Sequence, residues 1–378
     1  MLSDMLSYLL ARETEMEQTL ITLMQAESPS TDKSLVDQCG QVLQAEFTRL
    51  VGGSVTRISQ THTGDCYRCT YGEGDEQILI IGHFDTVWDQ GALSIEKRDG
   101  ILYGPGAFDM KGGLTVALYA IHALAANHVT GNRKVVFLAT SDEEIGSHAS
   151  RELIEAEAKK SVCVLVPESS IPPNGDIKTA RKGIADFTIT VKGIPSHAGH
   201  DPRAGANAIE ELALQIADLR QLTDIDAGIS VNVGLISGGT RVNVKAEHAQ
   251  AGVDLRFMTK EQGEAVAHKI MNRTPYIAGT TITVTGGINR YPLERTAQGV
   301  DLFVQLQSIA HAHGYEVNEG LSGGGSDGNF TAALGIPTVD GLGPVGDGAH
   351  ARNEHVVVAN LPYRAALLAD FLRTNIHR

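Results

Sequence analysis

The sequence predicts an α/β fold in which a mixed, largely parallel sheet is flanked by helices and interrupted by an inserted α+β domain. Short apolar runs alternate with helical patterns early in the chain, and this alternation returns near its end. Between these stretches, apolar and polar residues alternate one by one, which is the period of half-exposed antiparallel strands. We therefore expect a large domain from residues 1–180 and 291–378, with residues 181–290 forming the insertion.

The first part of the large domain carries helical patterns and apolar runs in alternation. Helices are predicted over residues 17–24, 34–51 and 112–126, and strands over 77–81, 134–140 and 162–167. The strand segments are almost entirely apolar, which is typical of parallel strands covered on both faces. In such sheets ligands bind beyond the carboxyl ends of the strands, so polar residues directly after these runs are of interest.

The insertion and the end of the chain complete the pattern. In the insertion, strands are predicted over 184–191, 229–236, 248–257 and 280–285, and helices over 207–222 and 260–271. This βαββαβ order is typical of a small ferredoxin-like unit. After residue 291 a strand is predicted over 335–339 and a terminal helix over 361–374.

Composition narrows the class of protein. The chain has 378 residues, 42% of them hydrophobic and 20% charged, as in an ordinary globular enzyme with more than one core. The net charge of −14 argues against nucleic acid or an anionic membrane as a partner. No long apolar run and no basic leader are present, so we expect a cytoplasmic protein. Four cysteines are too few for a disulfide scaffold, and the single CxxC at Cys66 and Cys69 does not suffice for a zinc ribbon.

Five separate segments place possible metal ligands at strand ends or in glycine-rich loops. His83 and Asp85 follow the first apolar strand, and in an extended HxD segment the two side chains point the same way. Residues 142–144 are three consecutive acids after the second apolar strand, where they repel one another unless cations neutralise them. The remaining candidates are Asp109, Glu168 and His350. Together they suit two zinc-type ions that share an acid.

Each segment alone also has a simpler explanation. The His83–Asp85 pair could lie at the protein surface, and Asp109 could be a turn or helix-capping residue. The acid run could mark a helix N-terminus, where carboxylates are stabilised by the helix dipole. The metal-site hypothesis therefore depends on all five segments occurring in one chain.

Taken in order, these segments resemble the M20 metallopeptidases, and more closely the glutamate carboxypeptidase (carboxypeptidase G2-like) branch. The resemblance is carried by GHFDTV, GPGAFDMKGG, SDEEIGS, PES, VKGIPSHAG, GGGSDGN and GAHARNE, and it runs from about residue 15 to the C-terminus. It implies a catalytic domain of the zinc-exopeptidase type and an inserted domain that serves as lid and dimerisation surface. A homodimer through that inserted domain is expected.

The resemblance also implies roles for the candidates. It implies that His83 and Glu168 bind one zinc ion, that His350 and Glu144 bind the other, and that Asp109 bridges them. Glu143 would then be the general base, and Asp85 would orient His83. The bond between Asp109 and Met110 is expected to be cis.

Four residues of the insertion match substrate-contacting positions of the family. His197 in PSHAG matches a histidine that reaches the partner protomer's site and stabilises the oxyanion. Asn243 and Arg256 match lid positions, and Arg290 resembles an arginine that clamps the substrate carboxylate. A turn histidine and a surface salt bridge are the simpler explanations for His197 and Arg290. Residues 323–327 are expected to form a flexible loop that walls the substrate pocket.

The leading hypothesis is a dinuclear zinc carboxypeptidase that releases a C-terminal amino acid such as glutamate, with cobalt or manganese as possible substitutes. The alternative within the same chemistry is deacylation of an N-acyl amino acid, as by acetylornithine deacetylase or succinyl-diaminopimelate desuccinylase. A catalytically silent binding protein is disfavoured because Glu143 and all five ligand candidates are present. An NAD-dependent oxidoreductase is disfavoured because no GxGxxG motif follows the first strand.

Overall fold

The computed structural model describes residues 4–377, and their contacts divide the chain into two compact units. Unit 1 contains the chain up to Ala180, Arg295–Ser322 and the chain from Ser326 onward. Unit 2 contains Arg181–Glu294 and Gly323–Gly325. Within residues 4–377, no helix combines the length and the apolarity needed to cross a membrane.

The elements follow one another along the chain in both units. The helices are α1 (Asp4–Leu10), α2 (Glu13–Gln25), α3 (Lys33–Val51), α4 (Gly112–Ala126), α5 (Arg151–Ala158), α6 (Ala208–Leu219), α7 (Lys260–Met271), α8 (Ala297–Ala312), α9 (Gly328–Ala333) and α10 (Leu361–Asn375). The strands are β1 (Ser54–Ile58), β2 (Cys66–Tyr71), β3 (Glu76–His83), β4 (Glu96–Arg98), β5 (Ile101–Tyr103), β6 (Arg133–Thr140), β7 (Ser161–Leu165), β8 (Ile177–Arg181), β9 (Gly183–Lys192), β10 (Ser230–Gly238), β11 (His248–Phe257), β12 (Thr281–Arg290), β13 (Glu319–Ser322), β14 (Thr338–Val339), β15 (Gly346–Asp347) and β16 (His355–Val357).

Unit 1 is built on a six-stranded sheet with the order β1-β2-β6-β3-β7-β14. Strand β3 runs parallel to both β6 and β7, and β14 runs parallel to β7, whereas β1 and β2 are antiparallel additions at one edge. Every residue of β3 from Gln77 onward is buried, as expected for a strand covered on both faces. The predicted mixed, largely parallel sheet is thereby confirmed. The carboxyl ends of β3, β6 and β7 therefore lie side by side at one edge of the sheet.

Helix α4 packs against this sheet, and its burial accounts for a sequence that is apolar all round. Twelve of its residues are buried, because α3 and α10 also pack against it. Its first turn needs glycines: a side chain at Gly113 would meet the carbonyl oxygen of Pro167 at 1.7 Å. Helix α4 therefore begins pressed against the segment that carries Glu168.

One predicted strand is much shorter than expected. The 335–339 segment forms only the two-residue strand β14. Gly335 adopts a left-handed φ of +78°, and Pro337 has no N–H to offer to a ladder. Pairing with β7 therefore begins only at Thr338, which lies opposite Val164.

Unit 2 has the βαββαβ order that the alternating pattern predicts. Its sheet has the order β10-β11-β9-β12, and all neighbours are antiparallel. The inward side chains of β9 are Ala185, Phe187, Ile189 and Val191, and they form the core of this unit with residues of β11 and the two helices. Strand β10 lies at an edge of the sheet and leaves Leu235 and Ile236 exposed.

Candidate metal centre

His83 is the last residue of β3, and its ring is fixed from one side. Nδ1 lies 3.0 Å from the carbonyl oxygen of Asp85 and can donate a hydrogen bond to it, which leaves Nε2 as the nitrogen available to a metal ion. Nε2 lies 3.2 Å from Asp109 Oδ1 and 3.2 Å from Glu168 Oε1. The side chain is only 1% exposed, which leaves it no solvent partner. An imidazole nitrogen between two carboxylates in this way is a typical zinc-type ligand.

His350 completes a second group on the other side of Asp109. It lies in the Gly348–Glu354 loop with a left-handed φ of +60°. Its Nε2 lies 3.1 Å from Glu144 Oε2 and 3.4 Å from Asp109 Oδ2. The two oxygens of Asp109 thus face different histidines, which is the geometry of a bridging carboxylate.

Electrostatics show that this group of residues needs positive charge. Hydrogen bonds to Asp109 and Glu144 raise the pKa of His350 to about 11. Burial raises the pKa of Glu144 to about 7, although His350 counteracts it. Burial also acts to raise the pKa of Asp109, but the two histidines outweigh it and hold that pKa far below its ordinary value. Without another cation, the carboxylates therefore draw protons onto the histidines.

The residues present fit divalent cations in a further respect. Ligand atoms of His83, Asp109 and Glu144 lie within 4.8 Å of one another. Glu144 Oε1 is buried and has no hydrogen-bond partner in the part of the chain that the structure describes. A buried carboxylate oxygen without a donor is costly unless a metal ion satisfies it.

Asp85 connects the first histidine to the acid run. Its carboxylate is fully buried and accepts hydrogen bonds from Ser30 Oγ at 2.7 Å and from the backbone N–H groups of Glu143 and Glu144 at 3.2 and 3.3 Å. Its Oδ1 also lies 3.5 Å from His83 Nδ1. Asp85 therefore contacts both the His83 ring and the backbone that carries Glu143.

The acid run leaves β6 and enters a short 3₁₀ turn over Glu143–Ile145. The loop closes where Ser147 N donates to Asp142 O at 2.8 Å. Glu143 and Glu144 are both half-buried residues, and the Glu144 side chain itself is only 5% exposed. What distinguishes the two glutamates is that Glu144 lies 3.1 Å from His350 Nε2.

Asp327 is a buried acid whose contacts the sequence did not predict. Its carboxylate accepts Thr140 Oγ1 at 3.0 Å and Ser147 Oγ at 2.5 Å, and so holds both ends of the acid loop. The expected flexible loop over 323–327 is therefore wrong for Ser326 and Asp327, which are buried and hydrogen-bonded. The motif GGGSDGN marks the segment, but nothing in it indicates a partner near residue 140.

Glu354 is a second supporting residue that sequence reasoning missed. Its carboxylate accepts the indole N–H of Trp88 at 2.6 Å and the backbone N–H groups of Phe108 and Asp109 at 2.9 and 3.0 Å. It therefore holds the glycine-rich loop that presents Asp109. Within that loop the Asp109–Met110 bond is cis, as the resemblance implied. The only sequence signal for Glu354 is its position in GAHARNE.

The four candidates of unit 2 lie in two groups. His197 and Asn243 are exposed, and their segments meet where Ala198 N donates to Asn243 O at 2.9 Å. Arg256 and Arg290 both lie opposite Ile184 on the central strand, one on each side. The first group thus lies in loops and the second within the sheet.

The surroundings of these side chains differ as well. His197 Nδ1 accepts the backbone N–H groups of Gly199 and His200 at 3.1 and 3.2 Å, so its Nε2 carries the proton as a donor. Its ring stacks on that of His200, with centroids 3.9 Å apart. Arg256 pairs with Asp254 at 2.8 Å, and Arg290 is buried.

Comparisons with known proteins identify the family and the fold of this chain. The model of peptidase family M20/M25/M40 matches residues 79–374. Carboxypeptidase G2 of Pseudomonas sp. (strain RS-16) is 28% identical over 368 residues, which cover 94% of this chain and 88% of that protein.

Solved structures share the fold over almost the whole chain. Aminopeptidase PepT from Bacillus cereus ATCC 10987 has a TM-score of 0.76 at 24% identity, covering 96% of this chain and 98% of its own. The M20 metallo-carboxypeptidase Sso-CP2 from Sulfolobus solfataricus has a TM-score of 0.74 at 19% identity, covering 95% and 98%. The Bacillus subtilis protein YXEP, described as a dinuclear metal binding peptidase, has a TM-score of 0.72 at 16% identity, covering 96% and 98%.

Proposed function

The chain belongs to peptidase family M20/M25/M40, and from this premise we propose that it is a dinuclear zinc hydrolase of amide bonds. The observation that carries the proposal is Asp109, whose two carboxylate oxygens face His83 on one side and His350 on the other. Glu168 would complete the first ion's ligands and Glu144 the second's. Cobalt or manganese could take the same positions, because imidazole and carboxylate ligands suit several divalent ions.

The chemistry follows from what surrounds the ions. When bound, the two ions would supply Lewis-acid stabilisation of the amide carbonyl and would make water more acidic. Glu143 is partly exposed beside Glu144, and its backbone is fixed by Asp85, so it can take a proton from the attacking water. The oxygen of that water forms a bond to the carbonyl carbon, Glu143 delivers the proton to the leaving nitrogen, and the C–N bond breaks to give a carboxylic acid and an amine.

The substrate we propose is a peptide or acylated amino acid that releases a C-terminal amino acid such as glutamate. The similarity to carboxypeptidase G2 supports this reading. We assign the α-carboxylate of the leaving amino acid to Arg290, whose guanidinium can bind a carboxylate with two parallel hydrogen bonds. We further assign oxyanion stabilisation to His197, because its protonated Nε2 is a donor, and substrate contacts to Asn243 and Arg256.

The proposal also covers the oligomeric state and the cellular compartment of the protein. We propose a homodimer through unit 2, supported by the edge strand β10 with exposed Leu235 and Ile236. We place the protein in the cytoplasm, since all four cysteines are free thiols, as in a reducing compartment.

A substrate panel tests the proposed function. The zinc-loaded protein is offered peptides with C-terminal glutamate and N-acetyl amino acids, and bound zinc is counted by elemental analysis. We expect about two zinc ions per chain, release of glutamate from the peptides, and loss of turnover after chelation that returns with zinc. Hydrolysis of acyl amino acids without any peptide cleavage would favour the deacylase alternative. A full zinc complement with no hydrolysis of either class would contradict the proposal.

A further inference from the structure

A second pocket of unit 1, which we call the α10 pocket, is bordered by the first turn of α10 and by the segment after α8. Its volume is about 370 Å³, in the lower part of the range of small-molecule sites. Its wall includes Asn360, Tyr363 and Arg364 at the start of α10, and Gly314 and Tyr315 after α8. None of the described residues that line it is a candidate metal ligand. The proposed hydrolysis thus gives this pocket no role.

Arg364 is the arginine in the described wall of the α10 pocket, and it is only 2% exposed. Its guanidinium carries five N–H groups. Three of them donate to the carbonyl oxygens of Gly343, Gly175 and Gly341 at 2.7, 2.8 and 2.6 Å. The other two have no acceptor among residues 4–377. A group bound in the pocket can supply the missing acceptor, because Arg364 forms part of the wall.

The positive charge of Arg364 has no counter-charge. Its three acceptors are neutral carbonyl groups, and no carboxylate within residues 4–377 forms an ion pair with it. Burial lowers the pKa of Arg364 below its ordinary value, and Tyr315 and Asp176 only partly counteract this. An arginine still remains protonated at neutral pH, so its desolvated charge is costly without an anion nearby. The pocket is where such an anion can enter.

The remaining wall suits a flat apolar group attached to that anion. The rings of Tyr315 and Tyr363 both line the pocket, and they meet at 87° with centroids 5.7 Å apart. Val345 and Pro173 add aliphatic surface. Aromatic rings pack favourably against the edges and faces of other rings. The α10 pocket therefore combines a buried cation with aromatic walls.

Two features of the wall oppose an anion, and both are weak. Glu316 is exposed, so water screens its charge. The C-terminal end of α8 also borders the pocket, but the N–H groups of Gly314 and Tyr315 donate to its last carbonyl oxygens at 3.0 and 3.1 Å. By contrast, α10 presents its N-terminal turn, where the helix dipole favours negative charge. An anionic ligand is thus favoured over a neutral one of the same shape.

We propose that the α10 pocket is a binding site for a small aromatic carboxylate, whose carboxylate accepts hydrogen bonds from Arg364 and whose ring packs against Tyr315 and Tyr363. Asn360 can add a further donor, because its side chain makes no capping hydrogen bond to α10. Binding at this site depends neither on the metal ions nor on the hydrolytic reaction. The ligand stabilises the folded protein by mass action.

Calorimetry with benzoate as the probe tests the role of charge. Benzoate and its neutral counterpart benzamide are titrated into the zinc-loaded protein and into the same protein after chelation. We expect benzoate to bind roughly 10-fold more tightly than benzamide in both preparations, the usual effect of a hydrogen bond to a charged group. Equal affinities would overturn the role of Arg364. A preference for benzoate that disappears on chelation would place benzoate at the metal centre and overturn the proposal.

Variants test the two parts of the site separately. Arg364→Met should remove the preference for benzoate over benzamide, whereas Arg220→Met, at an exposed arginine of unit 2, should bind as wild type. Tyr363→Ala should weaken benzoate binding by roughly 3–10-fold and leave the weaker binding of acetate, which has no ring, unchanged. Tyr276→Ala, at an exposed tyrosine of unit 2, is the matched control. Unchanged benzoate affinity in Tyr363→Ala would overturn the aromatic assignment.

Hydrogen exchange locates the bound benzoate in the wild-type protein, so the test does not depend on the folding of Arg364→Met. We expect benzoate to slow exchange in residues 313–316 and 360–364, which border the pocket. The melting temperature should rise more with benzoate than with benzamide. Protection confined to other segments of the chain would overturn the proposal.

Discussion

The metal centre of unit 1 and the candidate substrate residues of unit 2 are held in different ways. Around the metal centre, carboxylates with no exposed surface, such as Asp85, each accept several hydrogen bonds, and the ligands they position have little freedom. In unit 2, His197 and Asn243 are exposed and contact mainly nearby backbone. Residues that hold an ion must be placed in advance, whereas residues that meet a substrate must remain accessible.

The largest expected effect lies in the metal centre itself. Glu143→Ala removes the proposed proton acceptor but none of the five ligands, so we expect kcat to fall by roughly 10³–10⁴-fold while both ions stay bound. Steady-state kinetics and elemental analysis on the same sample measure the two quantities. Glu152→Ala removes a glutamate from the exposed face of α5 and should be silent. If Glu143→Ala turned over at the wild-type rate with its metals present, Glu143 would not be the base.

The second prediction concerns Asp327, which supports the loop carrying Glu143 without being part of that loop. Asp327→Ala removes the acceptor shared by Thr140 and Ser147, so the loop carrying Glu143 loses its anchor at both ends. We expect kcat to fall by roughly 10–100-fold with little change in KM, because misplaced groups lose effective molarity.

A matched control distinguishes this effect from a general loss of stability. Asp301→Ala removes an exposed acid from α8 and should leave kcat unchanged. Metal content should remain near that of wild type in both variants. A loss of metal from Asp327→Ala that accounts for all of its lost activity would show that Asp327 supports the ligands rather than the base.

The fold class followed from periodicity because periodicity reports burial directly. The central residues of strands β3 and β6 are continuous apolar runs, helix α4 is apolar on nearly every side, and the alternation in β9 marks a sheet with one buried face. The five ligand candidates could be named because each follows a strand or lies in a glycine-rich loop, and the resemblance supplied their roles.

The supporting residues could not be found in the same way. Asp327 meets Thr140 across 187 positions of sequence, and Glu354 meets Asp109 across 245. Contacts between segments so distant arise only when the sheet is assembled, and a single sequence carries no local sign of them. For the same reason the sequence does not predict how short β14 is, because its pairing depends on the neighbouring strand β7 as well as on Pro337.

Unit 2 has a buried polar network of its own, and a change in it is expected to have a smaller effect. Glu211 in α6 has no exposed surface, and its carboxylate accepts the backbone N–H groups of Tyr276 and Ile277 at 3.0 and 2.7 Å and the hydroxyl of Thr280 at 3.2 Å. In Glu211→Gln an amide group faces these donors, so we expect the free energy of unfolding of unit 2 to fall by about 1–3 kcal/mol.

Hydrogen exchange along α6 and denaturant titration measure this loss, and bound metal should not change. Glu210→Gln, at the exposed neighbouring position, is the matched control. Loss of metal from Glu211→Gln would contradict this prediction, because it would mean that metal binding by the unit 1 residues depends on the Glu211 network.

The smallest effect is the pH dependence of that same network. Burial acts to raise the pKa of Glu211, but hydrogen bonds from Gln215, Ile277, Tyr276 and Thr280 outweigh it and lower the pKa below its ordinary value. A carboxyl group whose pKa is lower in the folded state stabilises the fold above its unfolded pKa of about 4.3, and that contribution is lost as the pH falls through the folded value. The stability difference between wild type and Glu211→Gln should therefore be constant from pH 7 to about pH 5 and shrink below about pH 4. Glu210 is exposed and accepts the side-chain amide of Asn207 at 3.0 Å, so the difference between wild type and Glu210→Gln over the same range should be small beside that of Glu211→Gln. A wild-type advantage over Glu211→Gln that persisted unchanged to pH 3 would mean that shape, rather than the ionised carboxylate, holds the segment after residue 275.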